Sequence, residues 1–273
     1  MADGDRRDPL DFSGRAALVT GGTRGVGLGI TRALLSAGAE VVVCGRSEPA
    51  ALPETAGRQA SFVAADVRDA DAARHAVLEA AARHGRLDVL VNNAGGSPAV
   101  PAAEASARFV TSVVTLNLLA PFFCSQAAND VMQQQDDGGV IVNIGSVSAL
   151  RPSPGTAAYG AAKAGLVSLT RTLAVEWAPK VRVNCVVAGL VGTEAAADHY
   201  GGDAGIRAVS ATVPLGRLGT PEDVAGVCLF LVSSLAGYVT GSVVEAHGGG
   251  ERPAFLTALD ALQAATDPES SDT

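Results

Sequence analysis

Ala16-Ala-Leu-Val-Thr20, followed by Gly21-Gly-Thr-Arg-Gly-Val-Gly27, is the stretch whose reading decides the fold. The apolar run predicts a buried strand, the glycines a tight turn, and the Ala/Leu-rich residues up to Gly38 a helix. Strand, glycine-rich turn and helix in that order build a diphosphate cradle. Glycine lets the backbone come close to a ligand, and the helix N-terminus offers unpaired N–H groups and the positive end of its dipole. Gly21, Thr23, Arg24, Gly25, Val26 and Gly27 are therefore the first candidates for holding a dinucleotide.

Outward from that stretch, apolar runs at 40–44, 61–65, 87–91, 140–144, 181–187 and 241–245 alternate with helical patterns at 69–84, 105–134, 156–177 and from Thr220 on. Such alternation predicts an α/β fold: a doubly wound, mostly parallel seven-stranded sheet with helices on both faces. The residues after each strand then face the ligand crevice. After the second strand come Cys44-Gly45-Arg46, with no carboxylate to accept from two ribose hydroxyls. Arg46, with Arg24 in the glycine-rich turn, suits a 2′-phosphate and so NADP; the alternatives are that either Arg is only solvated surface, or that NAD is used as well. Asp66-Val67 follows the third strand and can set a carboxylate against an adenine amino group. Asn92-Asn-Ala-Gly-Gly96 ends the fourth in small residues, of which Asn93, Ala94 and Gly95 can pass close to a ligand or simply form a turn.

Tyr159 and Lys163 are four apart, with only Gly, Ala and Ala between them, so on a helix they share one uncrowded face. An ammonium beside a phenol favours the phenolate and would lower its pKa toward a range useful for proton exchange. Ser146 lies thirteen residues upstream of Tyr159, just past a buried strand, where a hydroxyl faces the crevice. Asn117 stands among leucines inside a helical pattern, which its amide disfavours; it either satisfies a core hydrogen bond or perturbs the helix to hold a water.

The 273 residues are 48% hydrophobic with a net charge of −8, enough apolar material for a substantial core and the wrong sign for nucleic acid or an anionic membrane as main partner. Cys44, Cys124, Cys185 and Cys228 are widely spaced and expected as reduced, mostly buried thiols. His75, His84, His199 and His247 match no metal-ligand spacing, and surface or loop positions are expected for them, so no metal is expected. No signal peptide and no apolar run of membrane-spanning length is read, which makes the cytoplasm the expected location. Residues 1–11 are expected to be a disordered segment, 12–250 a single dinucleotide-binding catalytic domain with a substrate loop at about 190–217, and 251–273 a partly disordered tail. Phe255, Leu259 and Leu262 in that tail are at helical spacing.

The same residues carry a resemblance. Thr20-Gly-Gly-Thr-Arg-Gly-Val-Gly27, Asp66-Val67, Asn92-Asn-Ala-Gly95, Asn117, Ser146, Tyr159 and Lys163 together resemble the short-chain dehydrogenase/reductase family, in its "classical" subgroup, over residues 12–249. The resemblance implies an oxidoreductase acting on a carbonyl or secondary alcohol with NADP(H), NAD(H) being possible. It implies a catalytic tetrad of Asn117, Ser146, Tyr159 and Lys163. Tyr159 would exchange the proton, Ser146 would hold the substrate oxygen, Lys163 would lower the Tyr159 pKa and bind nicotinamide ribose, and Asn117 would fix a water. Gly189, Val191 and Thr193 would contact the carboxamide, although Ala188-Gly189 replaces the family's usual Pro-Gly. Glu245-Ala-His-Gly-Gly249 likewise departs from the usual Val-Asp-Gly-Gly. The Gly216–Asp223 segment is similar to 3-oxoacyl-acyl-carrier-protein reductases, and a homotetramer or dimer is implied. Alternatives are an NAD(H)-dependent alcohol, sugar or steroid dehydrogenase, or a non-catalytic NADP(H)-sensing protein.

Overall fold

The computed structural model describes residues 8–194, 196 and 200–266. Its strands are β1 (Ala16–Thr20), β2 (Glu40–Gly45), β3 (Glu54–Thr55), β4 (Arg58–Gln59), β5 (Ser61–Ala64), β6 (Val89–Asn92), β7 (Gly139–Ser146), β8 (Val181–Ala188) and β9 (Val243–Ala246). Seven of them form one sheet in the order β5-β2-β1-β6-β7-β8-β9, and every neighbouring pair is parallel. The remaining two, β3 and β4, make a two-residue antiparallel hairpin that no periodicity announced. The strand order reverses beside β1, which places a crevice between the C-terminal ends of β1 and β6.

Helices α1 (Gly25–Ser36), α2 (Ala70–His84), α3 (Ala107–Val114), α4 (Ala120–Met132), α5 (Ala157–Glu176), α6 (Gly202–Ser210), α7 (Pro221–Val232) and α8 (Ala254–Thr266) follow in chain order. The period-2 alternation of the strands decides which helices cover which face. Val19, Val43, Val91 and Val142 pack with Ile30, Leu34 and Leu35 of α1 and Val224 and Leu231 of α7. Their neighbours Leu18, Val42, Leu90 and Ile141 point the other way, toward α2, α4 and Leu173 of α5. With both faces covered, the inner strands carry no polar alternation, as their near-continuous Val, Ile and Leu content requires. Cys44, Cys124, Cys185 and Cys228 are all free and buried in these layers.

Local chemistry sets the helix ends. Asp69 caps α2 by accepting from Ala72 N–H at 2.9 Å, and Gly85 ends it in the left-handed region at φ 69°. Thr220 and Asp223 form a reciprocal capping box at the start of α7, with Pro221 at its first position.

Two regions differ from the sequence expectation. The expected substrate loop at about 190–217 contains α6, which follows Gly201 and begins at Gly202, both at positive φ; those glycines mask its pattern in the sequence. The helix expected over 105–134 is two helices joined by a π-helical turn, Thr115–Leu119, around Asn117. The run Ala107–Met132 is nonetheless 26 residues with a mean hydropathy of 1.5, long and apolar enough to cross a membrane by length and composition alone. Here it packs on α2 and α5 as a layer of the fold. His199 and the outermost ends, 1–7 and 267–273, lie outside the described residues; within the tail, α8 forms as its spacing suggested.

Candidate active site

Contacts between the ends of four strands assemble the site. Thr20, the last residue of β1, accepts through Oγ1 from the N–H groups of Asn93 (2.9 Å) and Ala94 (3.0 Å). Asn93 returns the tie, donating from Nδ2 to Thr20 O (3.0 Å) and Gly21 O (3.1 Å). The glycine-rich turn and the Asn92–Gly96 segment are thus one hydrogen-bonded unit. A Cβ at Gly27 would lie 2.2 Å from Gly21 O and 2.4 Å from Asn93 Nδ2, so only glycine lets α1 start this close to β1.

Asn117 resolves the puzzle of its sequence context. It is 0% exposed, its Nδ2 donates to Gly96 O and Val113 O, each at 2.9 Å, and its Oδ1 accepts from Gly96 N–H at 2.9 Å. The π-helical turn aims the amide at the loop, so of the two alternatives left open by the sequence the core hydrogen bond is the one present, with the helix distortion accompanying it. A Cβ on Gly95 would meet Asn117 Oδ1 at 2.7 Å and Lys163 Nζ at 3.3 Å, so this loop runs directly over the catalytic candidates.

Tyr159 and Lys163 share one face of α5, with Nζ 5.7 Å from the ring centroid. Lys163 is 3% exposed and donates to Ile144 O at 2.7 Å. The Ser146 side chain, two residues further along β7 than Ile144, lies near enough to the Tyr159 phenol to influence its ionisation. Burial raises the Tyr159 pKa, and the nearby Ser146 hydroxyl offsets only part of that rise. In this arrangement burial sets the direction of the phenol's shift. The amine lies over the ring and spends a donor on the sheet, while burial lowers its own pKa to about 8.

That depression has a measurable consequence. A lysine at 10.5 unfolded and about 8 folded disfavours the folded state while it is charged, by up to about 3 kcal/mol below pH 8. The penalty fades as pH rises from 8 toward 10.5. In Lys163→Met the penalty disappears, so relative to wild type the variant should be more favoured in thermal melts at pH 7 than at pH 9.5; a pH-independent difference would contradict the buried cation.

Beneath the pair lies a buried polar chain that the sequence did not single out. Asn92 Nδ2 donates to Asn143 Oδ1 (2.8 Å) and Ser125 Oγ (2.9 Å), Asn143 Nδ2 to Thr170 Oγ1 (2.9 Å), and Thr170 Oγ1 to Leu166 O (2.8 Å). It locks α5 in register on β7, which keeps Lys163 over Ile144 and Tyr159 beside Ser146.

The other candidates divide. Arg24 is the exposed N-cap of α1, Arg46 is exposed just past β2, and Val67 and Val26 pack into or against the core. Thr193 reaches the cradle, its Cγ2 3.4 Å from where a Gly25 Cβ would be, and Val191 bridges to Gly219. Gly189 packs against His247, whose ring pairs with Glu245. Asp66 is not simply open to an adenine: Arg68 grips it through Nε (2.9 and 3.1 Å) and Nη2 (2.5 Å), which holds its pKa below the usual carboxylate range. Among the described residues no cluster of metal-ligating side chains occurs.

The dinucleotide that this geometry suits can be tested on the cradle itself. Gly25 N–H already accommodates a carboxylate, that of Glu194, which shows that the start of α1 takes an anion. Known proteins agree with the geometry. A family model described as enoyl-(acyl carrier protein) reductase matches residues 21–251. The 3-oxoacyl-(acyl-carrier-protein) reductase of Chlamydia muridarum is 36% identical over 246 residues, 86% of this chain and 96% of that protein. A short-chain dehydrogenase/reductase of Serratia marcescens, solved as a double mutant, superposes with a TM-score of 0.80 at 34% identity, covering 89% of this chain and 99% of that one. The Pseudomonas aeruginosa RhlG/NADP active-site complex superposes with a TM-score of 0.82 at 32% identity, covering 89% of this chain and 99% of that one. The chain belongs to the short-chain dehydrogenase/reductase family. It is an oxidoreductase of the kind that interconverts CH–OH and carbonyl groups with NAD(P).

Proposed function

We propose that this enzyme is an NADP(H)-dependent carbonyl reductase, working as an alcohol dehydrogenase in reverse, with Tyr159 as general acid and base. The observation that carries the reading is the contiguous set of Ser146, Tyr159 and Lys163 beside the loop over Gly95. Nicotinamide, when bound, supplies or accepts the hydride; the chain handles the proton and the oxygen. Tyr159 donates its phenolic proton to the substrate oxygen during reduction, and Ser146 is the second donor to that oxygen. Lys163 places a cation beside the ring and within reach of the Gly95 loop, where ribose hydroxyls would lie. Asn117 keeps that loop in place through Gly96.

A 3-oxoacyl thioester is the substrate class we favour. The relative named for that chemistry supports it, and so does a cavity of about 210 Å³ lined by Val100, Ala102, Phe109, Val110, Thr156 and Ala158, immediately before Tyr159. Its apolar walls suit an acyl chain. Loss of reduced-nicotinamide absorbance across a carbonyl panel, with both cofactors, tests the reading. No turnover of any carbonyl despite tight NADPH binding would favour a sensing role instead.

Cofactor choice rests on Arg24 and Arg46 with no acid at Gly45, and the NADP complex of a relative supports it. Arg46→Ala should weaken NADPH binding by about tenfold or more, the worth of a charge-assisted hydrogen bond, and leave NADH nearly unchanged. Equal or tighter NADH binding by the wild type would overturn this choice.

A further inference from the structure

Helix α1 starts without help from its own sequence. Its N-cap, Arg24, makes no side-chain capping bond, and no acidic residue lies in its first turn. The cap comes from 169 residues away: both carboxylate oxygens of Glu194 approach Gly25 N–H, at 3.1 and 3.4 Å. Glu194 is exposed, so burial does not force this contact; the attraction of a carboxylate for free amides at a helix N-terminus accounts for it. The backbone on either side is guided to the spot. Gly192 N–H bonds Gly219 O at 2.8 Å, Gly219 N–H bonds Leu190 O at 2.9 Å, and Ala196 N–H closes a turn on Thr193 O at 2.9 Å. Thr193 meanwhile rests beside Gly25.

We propose that Glu194 is a built-in competitor for the dinucleotide's diphosphate. This rests on the reading of the Gly21–Gly27 turn as a dinucleotide cradle. An amide N–H at the head of α1 serves one anion at a time, and a diphosphate brought beside the Glu194 carboxylate meets like charge. Cofactor binding therefore requires Glu194 to leave Gly25, which frees Thr193 and Glu194 from the cradle. By linkage the coupling is reciprocal: whatever draws Glu194 away from α1 strengthens cofactor binding. The carboxylate has a use of its own, because it stabilises the helix start until the cofactor arrives.

The test compares wild type, Glu194→Gln and Glu194→Asp by isothermal titration with NADPH and by thermal melts with and without it. A charge at a helix N-terminus is worth roughly two- to fivefold in an equilibrium constant, so Glu194→Gln should bind NADPH about that much more tightly at low salt. The gain should shrink as salt is raised. In the same variant the cofactor-free protein should melt slightly lower, since the cap is weakened. Tighter binding with lower intrinsic stability is a combination that mere damage to the fold does not produce. Glu194→Asp, which keeps the charge, should stay nearer wild type. Wild type that binds NADPH while Glu194→Gln binds it equally or more weakly overturns the competitor. Wild type that binds neither NADPH nor NADH overturns the cradle reading beneath it.

Discussion

Tyr159→Phe is expected to lower kcat/KM for carbonyl reduction by about a thousandfold, within the range that a positioned proton donor contributes, while leaving NADPH affinity within a factor of about two. On the proposed mechanism the phenol is the proton source, since Ser146 ionises far too reluctantly to replace it and Lys163 is turned to Ile144 O. Phenylalanine keeps the ring and its packing over the lysine stem, so the loss isolates the hydroxyl. The pH dependence adds a second check. Burial raises the phenol's pKa, so it remains protonated through neutral pH, and reduction should decline only on the alkaline side. Oxidation, which needs the phenolate, should rise as pH rises. Because the nearby Ser146 hydroxyl favours the phenolate, Ser146→Ala should move the oxidation profile to higher pH. Near-normal turnover in Tyr159→Phe, or an unmoved profile in Ser146→Ala, would show that the proton travels elsewhere.

What could be read in advance divides by range along the chain. The strand–turn–helix start, the Tyr159/Lys163 spacing and the Thr220/Asp223 cap are local patterns, and each is present in the structure within a residue or two. Apolar runs alternating with helical patterns also give the seven strands, because a parallel sheet covered on both faces needs continuous apolar runs. What stays hidden in the sequence involves partners no spacing reveals. Arg68 takes up Asp66 only because the turn after β5 folds the two together, and Glu194 meets Gly25 only through tertiary placement. Asn117 was visible as an anomaly among leucines, yet the π-helical turn that accommodates it depends on Gly96 lying opposite. The Asn92, Asn143 and Thr170 chain was hidden because each residue lies in an otherwise apolar or helical run and acquires meaning only when three elements meet. The direction of the Tyr159 pKa was missed for a related reason: spacing brings a cation near, but burial, which sequence does not show, decides the balance.

Gly27→Ala should cause the largest structural loss of any single-methyl change at the site. The added Cβ would sit 2.2 Å from Gly21 O, 3.0 Å from Gly21 C and 2.4 Å from Asn93 Nδ2. Two of those atoms are backbone and cannot swing aside. The third is tied to Thr20 O and Gly21 O, so moving it breaks the bonds joining the β1 turn to the end of β6. Overpacking of this kind costs about 2–3 kcal/mol, on the order of 5–10 °C in melting temperature for a chain of this size. The cradle would be deformed as well, and NADPH affinity should fall by about two orders of magnitude or more, since the amide at the head of α1 would be displaced from a bound anion. Gly226 supplies the control: it lies inside α7 with nothing within 4 Å of its absent Cβ, so Gly226→Ala adds the same methyl without a clash. Helix propensity makes that change neutral or stabilising, by up to about 1 kcal/mol. Melting temperature should therefore fall in Gly27→Ala and hold or rise in Gly226→Ala, with NADPH affinity lost only in the former, and a Gly27→Ala protein that melts and binds like wild type would mean that α1 does not begin against β1.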